Sequence, residues 1–174
     1  AGNRVLVMGG GGGGSVAAAD LCEAAGFEVP PLPPEMREEI RSFAPDVWSL
    51  ISNPMDGSVM GGLETLVGAF QAGAKWDGVD LLIGNSSAVW LLDSPLLAAR
   101  HELSSRFLVD LARGTEKPMV VYVNSGDTHT SWRVDAAAKA MDMCREAGIP
   151  AYPSARRAVQ ALARFTAYHR RIAR

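Results

Sequence analysis

The chain has 174 residues, 48% hydrophobic and 21% charged, which is enough apolar material for one core and too little length for a second domain to be expected. A formal net charge of −2 gives no electrostatic case for nucleic acid or an anionic membrane surface. No apolar run approaches the roughly 20 residues that span a bilayer, and the opening AGNRVLVM lacks the charged-then-apolar order of a signal peptide.

Cytoplasmic localisation is therefore the expectation, with small-molecule or protein partners. Cys22 and Cys144 are the only cysteines, each inside an apolar helix-like stretch, so buried thiols are expected rather than a disulfide framework or a metal site. The missing initial methionine suggests a processed chain or a piece of a longer one.

Apolar runs of strand length alternate with amphipathic segments of helix length, the pattern of a parallel sheet covered by helices on both faces. Arg4 to Met8 reads as the first strand. Six glycines, Gly9 to Gly14, lead into a helix from about Ser15 to Ala25 that Gly26 stops. FEVP, residues 27–30, reads as a short second strand. PLPPEMREEIRSFAP opens with prolines tolerated in a first helical turn and gives a second helix with a solvated face, ending at Pro45. SLISNPMDGSVMGGLETLVGAFQAG joins a turn cluster to a third amphipathic helix, and GVDLLIGN suits a central parallel strand. Then come a helix over Asp93 to Arg113, the strand KPMVVYVN, a helix over Arg133 to Ala147 stopped by Gly148, and the strand IPAYP. Ser154 caps a terminal Arg-rich helix running nearly to Arg174. These elements predict one α/β domain over residues 1–174, a flavodoxin-like doubly wound parallel sheet of five strands in the order 2-1-3-4-5, with a topological switch point after the first strand.

The glycine run is the most informative stretch. A helix start leaves backbone N–H groups unpaired and carries partial positive charge, and glycine removes whatever would obstruct an anion approaching it. Glycines free to adopt positive φ can also wrap their amides around a phosphate or carboxylate, with Ser15 adding a hydroxyl. Gly11, Gly12, Gly13, Gly14 and Ser15 are therefore the candidate phosphate-binding residues. A nucleotide P-loop is excluded, because that pattern needs Lys and then Ser or Thr after the last glycine. Six glycines satisfy the dinucleotide pattern G-x-G-x-x-G trivially, so that match carries little weight.

SNPMDG, residues 52–57, supplies Asn53 and Asp56 as shapers of a neighbouring turn. His129, in NSGDTHTSW after a strand, is a minor candidate as nucleophile or proton carrier, or simply a loop histidine. His101 and His169 lie among Arg and Glu in helix-like segments and read as solvated. On the residues alone, an anion cradle, a tight turn that binds nothing, a flavin- or nucleotide-binding flavodoxin-like module and a non-catalytic docking domain all stay open. Trp90 and Trp132 are the only aromatics in loop positions that could serve a flavin.

Several segments in order resemble the NDP-forming acyl-CoA synthetases, the family of ADP-forming acetyl-CoA synthetase, related to succinyl-CoA synthetase. They are the first strand and Gly-rich loop with SVAAADLCEAAGFEVPPLP, then SNPMD, EKPMVVYV and CREAGIPAYPSARRAVQALARFTAYHRR. The resemblance spans nearly the whole chain and is thinnest over residues 85–107 and 124–133. It implies the second flavodoxin-like domain of such an enzyme, working with a CoA-binding domain, a phosphohistidine-bearing flavodoxin-like domain and an ATP-grasp domain, in cis or as subunits. It implies that the start of the first helix receives the phosphoryl group while acid, CoA and NTP become acyl-CoA, NDP and phosphate by way of an acyl phosphate and a phosphohistidine. On the same ground this chain holds no catalytic residue, binds no cofactor by itself and has little ligase activity alone; CoA, ATP or ADP and Mg belong to the complete enzyme. Gly10 stands where the family loop often has Asn and Ser15 where its last Gly would be, so backbone contacts to phosphate are expected ahead of side-chain ones. A homo-oligomer stays open.

Overall fold

The computed structural model describes residues 2–9, 11–43, 51–57, 63–87, 95–124 and 131–172. In chain order it contains β1 (Val5–Gly9), α1 (Gly12–Ala24), α2 (Pro34–Phe43), α3 (Leu63–Lys75), β2 (Leu81–Ser87), α4 (Pro95–Arg113), β3 (Met119–Asn124), α5 (Ser131–Glu146), β4 (Ala151–Tyr152) and α6 (Ala155–Ile172). The strands form one parallel sheet in the order β1-β2-β3-β4, with Val5 opposite Leu81, Leu82 opposite Met119 and Val121 opposite Ala151.

Both faces of the sheet are covered, which is why β1 and most of β3 are apolar without alternation. Val5 and Val7 pack with Ala18 and Cys22 of α1 and with Ala158, Val159 and Leu162 of α6. Leu6 and Met8 face the opposite cluster, which includes Ile40 of α2, Phe70 of α3, Leu108 of α4 and Cys144 of α5. Each cluster thus holds one free, buried cysteine. Burial pushes the Cys22 thiol up to about 12, so it behaves as an apolar filler. Among the described residues no helix is long and apolar enough to cross a membrane.

Two glycine stops behave as expected. Gly26 and Gly148 have φ of +85° and +72°, and in each case the next residue's N–H bonds back to a cysteine carbonyl, Phe27 to Cys22 at 3.0 Å and Ile149 to Cys144 at 2.9 Å.

The α/β class and the parallel sheet hold, but among the described residues the sheet has four strands where five were expected. The expected second strand, residues 27–30, contributes one bridge, Arg4 to Glu28. Its extension is blocked from both sides. Pro30 and Pro31 offer no N–H, and the rest of β1's outer edge is already taken. The Asn53 side-chain amide accepts from the Val7 N–H at 3.1 Å and donates to the Val5 and Pro30 carbonyls at 2.8 and 3.0 Å. Met55 then exchanges backbone bonds with Val7 and Gly9. One side chain and two short backbone segments fill the place of a strand.

The first helix also differs, beginning at Gly12 rather than about Ser15. The glycines are helical from that point, and Gly9 is the one described member of the run with positive φ.

Candidate functional site

The candidate site is the junction of β1 and α1, at the carboxyl edge where open α/β sheets bind ligands. At Gly9 the chain turns with φ +87°, and a Cβ there would lie 2.7 Å from the Asn85 carbonyl oxygen of β2, so the position demands glycine on two counts. Gly11 is the N-cap residue, extended and without any side-chain cap. Gly12, Gly13 and Gly14 form the first turn, and the first intrahelical bond runs from the Ser15 N–H to the Gly11 carbonyl at 3.0 Å. The amides of residues 12–14 precede that bond and have no partner within the helix. No acidic residue lies in this first turn.

Around that turn the surroundings are uneven. Beside Gly12, the Asp56 carboxylate comes within 2.9 Å of the place a Cβ would occupy, a position the helix dipole favours for an anionic group. Beside Gly13 nothing lies within 4 Å. Beside Gly14 the nearest atom is Asn85 Nδ2, 3.7 Å from the Cβ position, and the Tyr122 hydroxyl makes a long 3.5 Å contact to the Gly14 carbonyl. Burial raises the Tyr122 pKa, so the phenol keeps its proton. Ser15 is fully buried and its hydroxyl donates to the Gly9 carbonyl at 2.7 Å, tying the helix to the end of β1.

The junction therefore brings together Gly11 to Gly14, Ser15 and Asp56. Asn53 supports it from a distance, by holding β1's edge. Asn85 and Tyr122 were not anticipated. The signal for Asn85 was available, since it stands near the carboxyl end of the apolar run GVDLLIGN. His129, Gly10 and Trp90 lie outside the described residues.

The sequence profile of the Ligase-CoA domain matches residues 5–173. The chain belongs to that family. The match bears out the resemblance to the NDP-forming acyl-CoA synthetases. No curated protein sequence matches the chain significantly. Among solved structures, this Ligase-CoA domain is similar to the dinucleotide-forming acetyl-coenzyme A synthetase 1 of Ca. Korarchaeum cryptofilum. The apo form of that enzyme superimposes with a TM-score of 0.70 at 25% identity, over 97% of this chain and 34% of that one. The same enzyme in complex with phosphate and ADP gives 0.70 and 25%, over 97% and 33%. PH0766 of Pyrococcus horikoshii OT3 shares the fold, with a TM-score of 0.71 at 22% identity, over 93% of this chain and 34% of that one. The chain thus spans about a third of the length of these structures.

Two further features of the Ligase-CoA domain lie away from the junction. His101 of α4, expected to be solvated, is 5% exposed. The reason is register: helical periodicity turns position 101 towards β2 although its sequence neighbours are charged. There Ser86 Oγ lies 3.2 Å from His101 Nε2 and 2.6 Å from Ser105 Oγ, and Ser105 donates to the His101 carbonyl at 2.9 Å. Burial pushes the His101 pKa down, so the imidazole is neutral and completes a polar lock between α4 and β2. At the opposite edge of the sheet a cleft of about 920 Å³ is lined by Lys75, Asp80, Asp110 and Lys117 among others. It sits at the amino ends of the strands, and its acids and lysines give no single sign of charge.

Proposed function

We propose that this Ligase-CoA domain receives the phosphoryl group in an NDP-forming acyl-CoA synthetase. The first turn of α1 would hold it while acid, CoA and NTP exchange with acyl-CoA, NDP and phosphate, the group arriving on a histidine of a neighbouring domain. The supporting observation is the three helical glycines of that turn. Glycine in a helix is roughly 0.5–1 kcal/mol less stable than alanine at each position. Residues 12–14 have no positive φ, and Gly13 has open space where a Cβ would go. The fold does not require glycine at 13; an unobstructed path to the amides does. Those amides and the helix dipole would stabilise charge on the phosphoryl oxygens without moving, as a fixed electrostatic receptacle does.

Among the described residues no group of three or more His, Cys, Asp or Glu is placed to hold a metal. In this reading Mg, ATP or ADP, and CoA belong to the other domains of the enzyme, in cis or as subunits. The terminal helix offers a surface for that contact. Phe165, Tyr168 and Ile172 of α6 are 41%, 55% and 61% exposed, and α6 carries five arginines and no acid.

In the multidomain enzyme carrying this domain, Gly13→Val should lower the rate of phosphoryl transfer by about a hundredfold, the scale on which losing preorganised donors is felt. Unchanged phosphoryl transfer in that variant would remove the basis of the proposal. The chain by itself, given ATP, CoA and a panel of carboxylic acids, should form no acyl-CoA.

A further inference from the structure

Asn85 is 8% exposed, and its Oδ1 is buried with no hydrogen-bond partner among the described residues. A buried amide oxygen left unpaired is unfavourable, and native folds seldom keep one without a use. The other end of the same amide, Nδ2, faces Gly14 across 3.7 Å to the Cβ position, so the side chain is aimed at the first turn of α1. Its place is rigid. Asn85 pairs with Gly9 on one side and Tyr122 on the other, in a strand flanked by β1 and β3. The side chain shares a sheet face with Leu81 and Ile83, which pack in the cluster containing α1.

We propose that Asn85 is a binding residue for the phosphoryl group, donating its side-chain amide N–H to a phosphoryl oxygen beside the backbone amides of Gly13 and Gly14. This rests on the reading of the α1 start as the phosphoryl site and adds a side chain to it. A deprotonated phosphoryl oxygen only accepts, so Nδ2, the atom that faces Gly14, is the one placed to donate to it. A neutral donor suits a group that must be passed on, since it aligns the phosphoryl oxygens without the strong attraction of a lysine or arginine. The ligand chemistry is a tetrahedral phosphoryl group, either free phosphate or one borne on an imidazole nitrogen.

The test is calorimetric titration of the full chain and of Asn85→Ala, Asn85→Asp and Gly13→Val, with inorganic phosphate in one arm and phosphoimidazole in the other. Asn85→Ala should weaken binding about tenfold, the worth of one hydrogen bond to a charged group, and Asn85→Asp should weaken it further by adding a like charge. The Tm of Asn85→Ala should stay level or rise, because truncation deletes an unsatisfied buried atom. A loss confined to phosphoimidazole assigns Asn85 to the imidazole-borne group and a loss confined to phosphate to the free ion; either upholds it. Undiminished binding in Asn85→Ala alongside lost binding in Gly13→Val overturns the role of Asn85 and leaves the site standing. Weakened binding with a fallen Tm overturns it in favour of a structural role. If the unsubstituted chain binds neither probe, the phosphoryl site itself fails and Asn85 with it.

Discussion

Gly9 and Gly13 sit four residues apart in one run, yet the structure asks different things of them. At Gly9 a side chain meets both a left-handed backbone and a carbonyl oxygen 2.7 Å away. Gly9→Ala should therefore destabilise the domain by about 2–4 kcal/mol in a denaturant titration, strain and clash together. Gly13→Ala should do the reverse, stabilising it by about 0.5–1 kcal/mol while slowing phosphoryl transfer in the complete enzyme. A stability gain with full activity would detach the glycine from function. Asn53 illustrates a polar residue whose work is in the fold. Truncation to alanine leaves the Val7 N–H and the Val5 carbonyl without partners at β1's edge, and should cost about 2–4 kcal/mol. Asp56 is the charged neighbour of the α1 start. Asp56→Asn removes a like charge and should tighten inorganic phosphate binding several-fold at low ionic strength, an effect that fades with added salt.

Elements were legible in the sequence wherever one local signal fixed them. GVDLLIGN and KPMVVYVN are continuous apolar runs and form β2 and β3; Gly26 and Gly148 stop their helices; Ser154 precedes α6, its Oγ accepting from the Arg157 N–H at 3.4 Å. What stayed hidden was set by partners distant in sequence. FEVP has the composition of a strand, but the groups it would pair with are occupied by Asn53 and Met55. The tight junction of β1 and α1 was legible because six glycines in a row are a strong signal, whereas the convergence of Asn85 on Gly14 depends on the register of β1 against β2. His101 was misjudged from its charged neighbours in sequence. Its lock to β2 carries a pH signature. The folded-state pKa lies below the ordinary 6.5, so the unfolded chain binds the proton more readily. Stability is full above pH 6.5 and falls as the pH drops from there through the folded-state pKa. A second acid loss follows below pH 3.8, where Asp80, held down by its two-pronged contact with Arg4, begins to take up a proton in the unfolded chain. Urea titrations at stepped pH should show the first loss vanish in His101→Phe and the second persist.

At the scale of the molecule, a Ligase-CoA domain spanning a third of its structural relatives presents the glycine turn at the start of α1 and the exposed apolar side chains of α6. They lie on the same side of the sheet, since α1 and α6 pack in one cluster. Replacing Tyr168 and Ile172 together by serine should leave the Tm of the chain near its original value, because more than half of each side chain is in solvent. It should weaken association with the remaining domains when these are supplied separately, as read by ultracentrifugation. Unaltered association would move the contact elsewhere.

The central claim, that the first turn of α1 is a receptacle for a phosphoryl group, is tested most directly by NMR of the ¹⁵N-labelled chain titrated with inorganic phosphate, with chloride at matched ionic strength as the control. The account predicts saturable shifts of the Gly12, Gly13 and Gly14 amide protons with phosphate and none with chloride. Shifts confined to the cleft around Lys75 and Lys117, or no saturable shift at residues 12–14, would contradict it.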